Sequence, residues 1–227
     1  MKLLYLVIGD IRFQIKYGFY FLYAVFSVLY IIILVLLPQN TIKTATALLI
    51  FTDPSVFGLI FMGSIVQFEI TEKTFDSLCI APIRPVDYLF GKLISLSLLS
   101  WIVGMLVGLI AGDIPNLFWF SVAIIAGSMI FSAVGMIFAF RTDTLNKFFL
   151  SIVPIMIFGM IPGVLHLFDI LPWWMIFHPG VAIMEMLISG SQAFLAFVIT
   201  ILWMFLVLWA ALSTVRNRFG RRAGDNV

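Results

Sequence analysis

The sequence predicts an all-α integral membrane protein with six transmembrane helices. Of its 227 residues, 63% are hydrophobic and only 11% are charged, which is more apolar surface than a soluble domain of this length could cover. The apolar residues are also gathered in six runs of about the 20 residues that a helix needs to cross a bilayer. The net charge of +2 therefore gives no indication of nucleic-acid binding, and the single cysteine excludes an internal disulfide.

Residues 1–17 form the first predicted element, an amphipathic helix that lies in the membrane interface. Four charged side chains make this segment too polar to span, yet its aliphatic residues are spaced as on one helical face. The residues of that face are Leu4, Val7, Ile8, Ile11 and Ile15.

A transmembrane domain, residues 18–214, follows. Its predicted spans are residues 19–37, 45–66, 93–111, 117–140, 148–165 and 193–214. Pro172, Pro179 and Gly180 interrupt residues 166–192, so we expect this re-entrant segment to form two short half-inserted helices at the outer side. Trp173 and Trp174 then belong to the aromatic belt of the interface.

The basic residues predict the orientation of the chain in the membrane. With six spans, 12 of the 13 lysines and arginines fall on one side, and Lys43 alone falls on the other. By the positive-inside rule, both termini, the loop 67–92 and the basic tail 215–227 are cytoplasmic. The sequence thus predicts a multi-pass protein of the cell membrane.

The stretch 69–92 is the longest polar interruption of the chain, with seven charged residues among its 24. It is predicted to form a short helix, a proline-bounded break and a second helix that continues into the third span. Glu69 and Lys73 have the favourable i,i+4 spacing. Pro82 and Pro85 are expected to end the first helix, and Asp87 to cap the second.

This stretch predicts a two-faced element just outside the bilayer. Phe75, Leu78 and Cys79 form a small apolar face, whereas the charged residues lie around the rest of the helix. Such a short, rigid element is suited to bind a soluble partner and to transmit the partner's movement to the spans.

At this point the chain resembles the ABC-2 type transporter permeases. The resemblance rests on the N-terminal helix, the six spans and a loop pattern of Glu69, Lys73-Thr74-Phe75, Leu78, Ala81-Pro82, Pro85, Tyr88-Leu89 and Gly91-Lys92. The chain departs from the family where Lys73 replaces the usual Gly and Phe75 replaces Leu. Asp53-Pro54, together with the run Ala-Pro-Ile-Arg-Pro, is similar to the fluoroquinolone-export type.

The resemblance implies an export permease that works as a homodimer, or as a heterodimer with a sister permease, on two ATPase subunits. The chain has no G-x-x-x-x-G-K-[ST] motif, so ATP and Mg²⁺ would be bound by the partner, and no catalytic residue is expected here. Residues 70–80 would form the coupling helix. The residues implied in ATPase coupling are Glu69, Glu72, Lys73, Thr74, Phe75, Asp76, Ser77 and Leu78.

Asp53 and Pro54 are the candidate residues of the transport path, because acidic side chains inside a membrane are usually functional. They lie near the predicted outer end of span two, so the alternative is that Asp53 caps a helix that resumes at Pro54. No metal site is expected, since His166 and His178 lack carboxylate or Cys partners at ligand spacing. Glu185 is predicted to be a solvated or lid residue.

Other functions stay open at this point. Permeases of the same class export haem, antimicrobial peptides, lipids or glycans. A membrane enzyme is disfavoured because G-x-S-x-G and H-E-x-x-H are missing. An ion-coupled secondary transporter would need ionisable groups near the membrane midplane, and residues 93–140 carry only Asp113, in a loop.

Overall fold

The computed structural model describes residues 2–81 and 83–224, in which the regular structure is helical throughout. The helices are α1 (Lys2–Lys16), α2 (Phe19–Leu36), α3 (Ile42–Thr52), a π-helical turn (Asp53–Phe57), α4 (Gly58–Thr71), α5 (Thr74–Ile80), α6 (Pro85–Ala111), α7 (Leu117–Arg141), α8 (Leu145–Leu167), a 3₁₀ helix (Trp173–Phe177), α9 (Pro179–Leu187) and α10 (Ala193–Gly224).

Six helices in the described part are long and apolar enough to cross a membrane, which confirms the predicted number. The second of them is α3, the π-helical turn and α4 taken together. This helix and α7 are mostly buried and form the centre of the bundle. In contrast, α2, α8 and α10 bury little of their surface. Their remaining apolar side chains are exposed, as expected of helices that face lipid.

The second span is longer than predicted, which changes the position of Asp53. The helix extends from Ile42 to Thr71, because the polar turn around Lys43 continues the helix beyond the apolar run. Asp53 has right-handed helical dihedral angles and lies inside the helix, in the π-helical turn that also includes Pro54. The predictions that Asp53 lies near the outer end of the span and caps a resumed helix are therefore wrong.

The loops predicted to share one side of the membrane lie together at one end of the bundle. The side chain of Gln67, near the end of α4, donates to the carbonyl oxygen of Ala139 at 2.8 Å and to that of Thr142 at 3.0 Å. Arg218 of α10 donates to the carbonyl oxygen of Phe140. We call this the basic end; it comprises α1, α5, the N-terminal part of α6 and the C-terminal ends of α4, α7 and α10. That it faces the cytoplasm remains a prediction.

The sixth span does not stop at the predicted residue 214. Helix α10 continues to Gly224, so the described part of the predicted tail 215–227 is an extension of the span. This extension brings Phe219 into the basic end, where it packs on aromatic residues of other helices.

The segment 166–192 forms the two short helices that the sequence predicts, the 3₁₀ helix and α9. Every residue of α9 is buried, so this helix packs into the bundle. Its approach to α8 is close, because a Cβ atom added to Gly180 would lie 2.2 Å from the carbonyl oxygen of Gly159. Only glycine allows these two backbones to touch here. Trp173 and Trp174 are exposed.

Candidate functional site

The helix predicted for residues 70–80 is broken at Lys73. Helix α4 ends at Thr71, and Lys73 adopts a left-handed conformation with φ of 58° before α5 begins. Glycine adopts this conformation without strain, so the Gly of the resembling family fits this position better than lysine does. The break also separates Glu69 from Lys73, and the predicted i,i+4 pair does not form. Glu69 pairs with another lysine instead.

Glu69 belongs to a buried ion cluster in which Lys92 is the central residue. The Lys92 ammonium donates to Glu69 Oε1 at 2.7 Å and to Asp10 Oδ1 at 2.7 Å. The Tyr88 hydroxyl donates to Glu69 Oε2 at 2.7 Å. All three ionic side chains are about 95% buried. Glu69 is therefore paired with a basic residue of the third span, Lys92.

The N-terminal helix completes this cluster through its polar side. Gln14 donates to Asp10 Oδ2 at 2.6 Å and to Ser95 Oγ at 2.9 Å, and the Ser95 hydroxyl also donates to Asp10. On the other side of α1, Leu4 and Ile15 are exposed. Helix α1 thus buries polar side chains against the bundle and leaves several aliphatic side chains exposed, as a helix does when its outer side faces lipid.

The cluster links three elements that are distant in sequence, namely α1, α4 and α6. Its formal charge is −1, since Asp10 and Glu69 share the single ammonium of Lys92. Buried ions are tolerated only when their geometry is good and their remaining hydrogen-bonding positions are occupied. Here Tyr88 and Ser95 provide these additional hydrogen bonds.

Helix α5 adjoins the cluster across a cavity of about 200 Å³. Thr74 and Leu78 of α5 line this cavity together with the ionic residues. Beside them, Phe75 is 2% exposed. Its ring centroid lies 5.6 Å from that of Tyr88, 5.1 Å from that of Phe140 and 5.2 Å from that of Phe219. Leu78 and Phe75 therefore face the bundle and anchor α5 to α6, α7 and α10.

The outward side of α5 carries two of the residues that the resemblance implies in ATPase coupling, Lys73 and Ser77, together with Ile80. Lys73, Ser77 and Ile80 are exposed, and the side chain of Ile80 is 75% exposed. Asp76 is half-buried. Glu72 is exposed and accepts a hydrogen bond from Tyr17, which raises the pKa of the Tyr17 hydroxyl. Ile80 is absent from the residues predicted for ATPase coupling, although its spacing from Lys73 and Ser77 places all three on one helical side.

The start of α6 also differs from the prediction. Pro85 is the first residue of the helix, and Arg84 occupies the N-cap position in an extended conformation. Proline suits this position because its φ angle is already helical and it has no N–H group to satisfy. Asp87 lies within the first turn and is not the cap. Pro82, which is also expected to end the first helix, lies outside the residues that the structure describes.

A second set of buried polar residues, which includes Asp53, lies within the bundle. The Tyr23 hydroxyl and Ser100 Oγ are 3.0 Å apart, and Ser128 Oγ lies 3.4 Å from Ser100 Oγ. Asp53 is 2% exposed. Among the residues that the structure describes, none donates a hydrogen bond to either of its carboxylate oxygens.

Glu185 is buried in α9, so the prediction that it is solvated is wrong. Its Oε2 atom lies 2.8 Å from His166 Nε2, and its Oε1 accepts a hydrogen bond of 2.8 Å from the backbone N–H of Gln192. His178 Nδ1 instead accepts from the N–H of Gly180, at the start of α9. Within the described part of the chain, no group of three His, Cys, Asp or Glu residues could hold a metal ion.

We predict that the His166–Glu185 pair makes the folded state sensitive to acid. The hydrogen bond from His166 holds the pKa of Glu185 below its ordinary value of 4.5. The unfolded carboxylate therefore takes up a proton first as the pH falls. The stabilisation is present above about pH 4.5 and is lost below it. Thermal unfolding in detergent between pH 3 and 7 should show a smaller acid-induced loss for Glu185→Gln than for the native chain. If the unfolding temperatures of the native chain and of Glu185→Gln fell by the same amount between pH 7 and pH 3, the prediction would be contradicted.

The chain was also compared with protein-family models and with curated proteins, and neither comparison found a match.

Proposed function

We propose that this chain is the permease subunit of an ATP-binding cassette exporter. It would move a hydrophobic or amphipathic compound, such as a drug, out of the cytoplasm or the inner leaflet. A separate ATPase subunit would bind ATP and Mg²⁺ and drive the transport, and two permease copies, identical or sister chains, would form the complex. The observation that carries the proposal is the arrangement of α5, which is anchored on one side and exposed on the other.

The contacts of α5 suit it to transmit movement from a soluble partner. A partner that docks on Ser77 and Ile80 would press on a helix whose inner side touches α6, α7 and α10 through Phe75. The neighbouring ion cluster connects the same region to α1. Because these contacts are buried and closely packed, α5 and the ends of these spans would move as one body between two states of the bundle.

The proposal is tested by substituting the most exposed apolar residue of α5. A tagged native chain, purified from its own membranes in a mild detergent, should carry a bound ATPase whose ATP hydrolysis can be assayed. Ile80→Asp should lower the co-purified ATP hydrolysis about tenfold or more, since a buried apolar contact at an interface centre would be replaced by a charge. The chain itself should still fold, because Ile80 is exposed.

Ile170→Asp is the matched control, since Ile170 is an exposed isoleucine in the loop after α8, away from α5. It should retain the bound ATPase. Full ATPase recovery with Ile80→Asp would rule out the docking role of this side of α5. Leu78→Asp is less suitable, because Leu78 faces the cavity and its substitution would also disturb folding.

An ion-coupled secondary transporter is the second candidate, and Asp53 is the observation that favours it. Such carriers need an ionisable group near the midplane. In the second span Asp53 is 11 residues from the start at Ile42 and 18 from the end at Thr71. The same pull-down separates the two candidates. A native chain that brings down no ATPase in several mild detergents would contradict the exporter and favour the carrier. A permease that exports haem, peptides, lipids or glycans would also bind an ATPase subunit, so it would give the same pull-down result as a drug exporter.

A further inference from the structure

A cavity of about 370 Å³ lies at the end of the bundle opposite the basic end, where α6 ends. It is bounded by the first turns of α3, the loop after α6 and the last residues of α8 and α9. Its lining combines two opposite charges, Lys43 and Asp113, with an apolar wall that includes Phe120, Leu167 and Leu187. A cavity of this volume is large enough to bind a small molecule or the headgroup of a lipid.

The two charged side chains of this cavity have no protein partner. Among the residues that the structure describes, neither Lys43 nor Asp113 forms an ion pair or a side-chain hydrogen bond, although both line the same cavity. Lys43 is exposed and Asp113 is half-buried. The cavity thus presents a cation on one wall and an anion on another, and a ligand that carries both charges could pair with both.

The wall that carries Lys43 suits an anion. Lys43 lies in the first turn of α3, and the side chain of Thr41, at the N-cap, makes no capping hydrogen bond. The first N–H groups of a helix have no partner within the helix, and the helix dipole favours a negative charge beside them. A lysine in this turn opposes the dipole. A phosphate at this position would accept from the N–H groups and pair with the lysine.

Thr46 is an independent indication that the cavity holds a ligand. It lines the cavity on the same side of α3 as Lys43, is 1% exposed, and its hydroxyl has no hydrogen-bond partner in the described part of the chain. A buried hydroxyl without a partner is costly. Other threonines donate to the carbonyl oxygen four residues earlier, namely Thr52, Thr71, Thr200 and Thr214. Thr46 does not, so its hydroxyl remains available to an occupant of the cavity.

We propose that this cavity binds the headgroup of a zwitterionic phospholipid that has a primary amine. The phosphate pairs with Lys43 and accepts a hydrogen bond from Thr46, and the ammonium pairs with Asp113. A primary ammonium fits because it donates hydrogen bonds to a carboxylate, which a trimethylammonium group cannot do. A soluble phosphoethanolamine compound carries the same charges, but the apolar wall favours a lipid. The site belongs to this chain alone and does not rest on the proposed ATPase partner.

Titration calorimetry on the purified, delipidated chain in detergent tests the proposal, with protein-free micelles as the blank. Dihexanoyl phosphatidylethanolamine should bind about tenfold more tightly than dihexanoyl phosphatidylglycerol, which has the phosphate but no ammonium. Glycerophosphoethanolamine, which has both charges but no acyl chains, should bind at least about tenfold more weakly than the phosphatidylethanolamine, because it leaves the apolar wall uncovered. Equal binding of the two lipids would overturn the proposal. Equal binding of the soluble headgroup would overturn the assignment to a lipid.

Two substitutions test which wall binds which charge. Asp113→Asn should weaken the binding of phosphatidylethanolamine about tenfold and leave that of phosphatidylglycerol unchanged, because only the partner of the ammonium is lost. Lys43→Gln should weaken the binding of both lipids about tenfold, since both carry the phosphate.

Asp143→Asn and Lys147→Gln are the matched controls, because they make the same charge changes in the exposed ion pair that follows α7. Both should bind the two lipids as the native chain does. Native affinity for phosphatidylethanolamine in Asp113→Asn or in Lys43→Gln would refute the proposed site. The comparison of the three ligands on the native chain remains decisive even if a variant fails to fold.

Discussion

Replacing Lys92 with methionine should destabilise the folded chain by about 3–5 kcal/mol, the usual cost of breaking a buried ion pair by removing one partner. The substitution keeps the length and apolar stem of the side chain but removes the ammonium. The carboxylates of Asp10 and Glu69, each 2.7 Å from that ammonium, would then be buried without a positive charge. Unfolding by heat or denaturant in detergent micelles measures the effect.

Lys147→Met is the matched control for this experiment. Lys147 also pairs with an acid, Asp143 at 3.2 Å, but both side chains are mostly exposed, so we expect a loss of at most about 1 kcal/mol. A triple variant that combines Lys92→Met with Asp10→Asn and Glu69→Gln should recover much of the lost stability, because it removes the buried charges together. Similar losses for Lys92→Met and Lys147→Met would show that the cluster does not stabilise the fold.

Phe75→Ala should cost about 3–5 kcal/mol of stability, as expected when a buried aromatic side chain is truncated. Phe75 contacts aromatic rings from three helices, and these rings are too tightly held to fill the space that it would leave. The variant should unfold at a lower temperature in the purified chain, before any partner is added. The resemblance implies a role for Phe75 in ATPase coupling, and its burial gives it a structural role as well.

Ile80→Ala is the control for Phe75→Ala, because it shortens an exposed side chain of the same helix and should change stability by no more than about 0.5 kcal/mol. Phe75→Leu, which has the residue that the resembling family carries at this position, should retain more stability than Phe75→Ala because it fills more of the volume. If Phe75→Ala and Ile80→Ala unfolded at the same temperature, the aromatic anchor would have no energetic significance.

The six spans could be predicted from the sequence because the bilayer imposes a length and a composition on every crossing helix. The boundaries were less predictable, since polar turns such as that at Lys43 continue a helix without adding to its apolar run. The helical break at Lys73 could not be found from composition, because a left-handed lysine has no sequence signature.

The ion cluster illustrates what local patterns cannot provide. Asp10 and Lys92 are 82 residues apart, and their contact depends on how α1 packs against α6. In the sequence, Asp10 is one of the four charged side chains that make residues 1–17 too polar to span, and nothing local connects it to Lys92. A usable signal existed, because Asp10 and Gln14 are one helical turn apart and therefore share one side of α1. The His166–Glu185 pair could not be predicted for the same reason, since its two residues lie on different helices, α8 and α9, whose packing is not encoded in a local pattern.

The position of Lys92 in the chain has a consequence for the synthesis of the protein. Both acids of the cluster, Asp10 and Glu69, leave the ribosome before their common base. Helix α1 and the first two spans are therefore complete while the two carboxylates still have no partner, and α1 can dock only after the third span has begun to emerge. The final placement of α1 is thus a late event of membrane insertion, although α1 precedes all six spans in the chain.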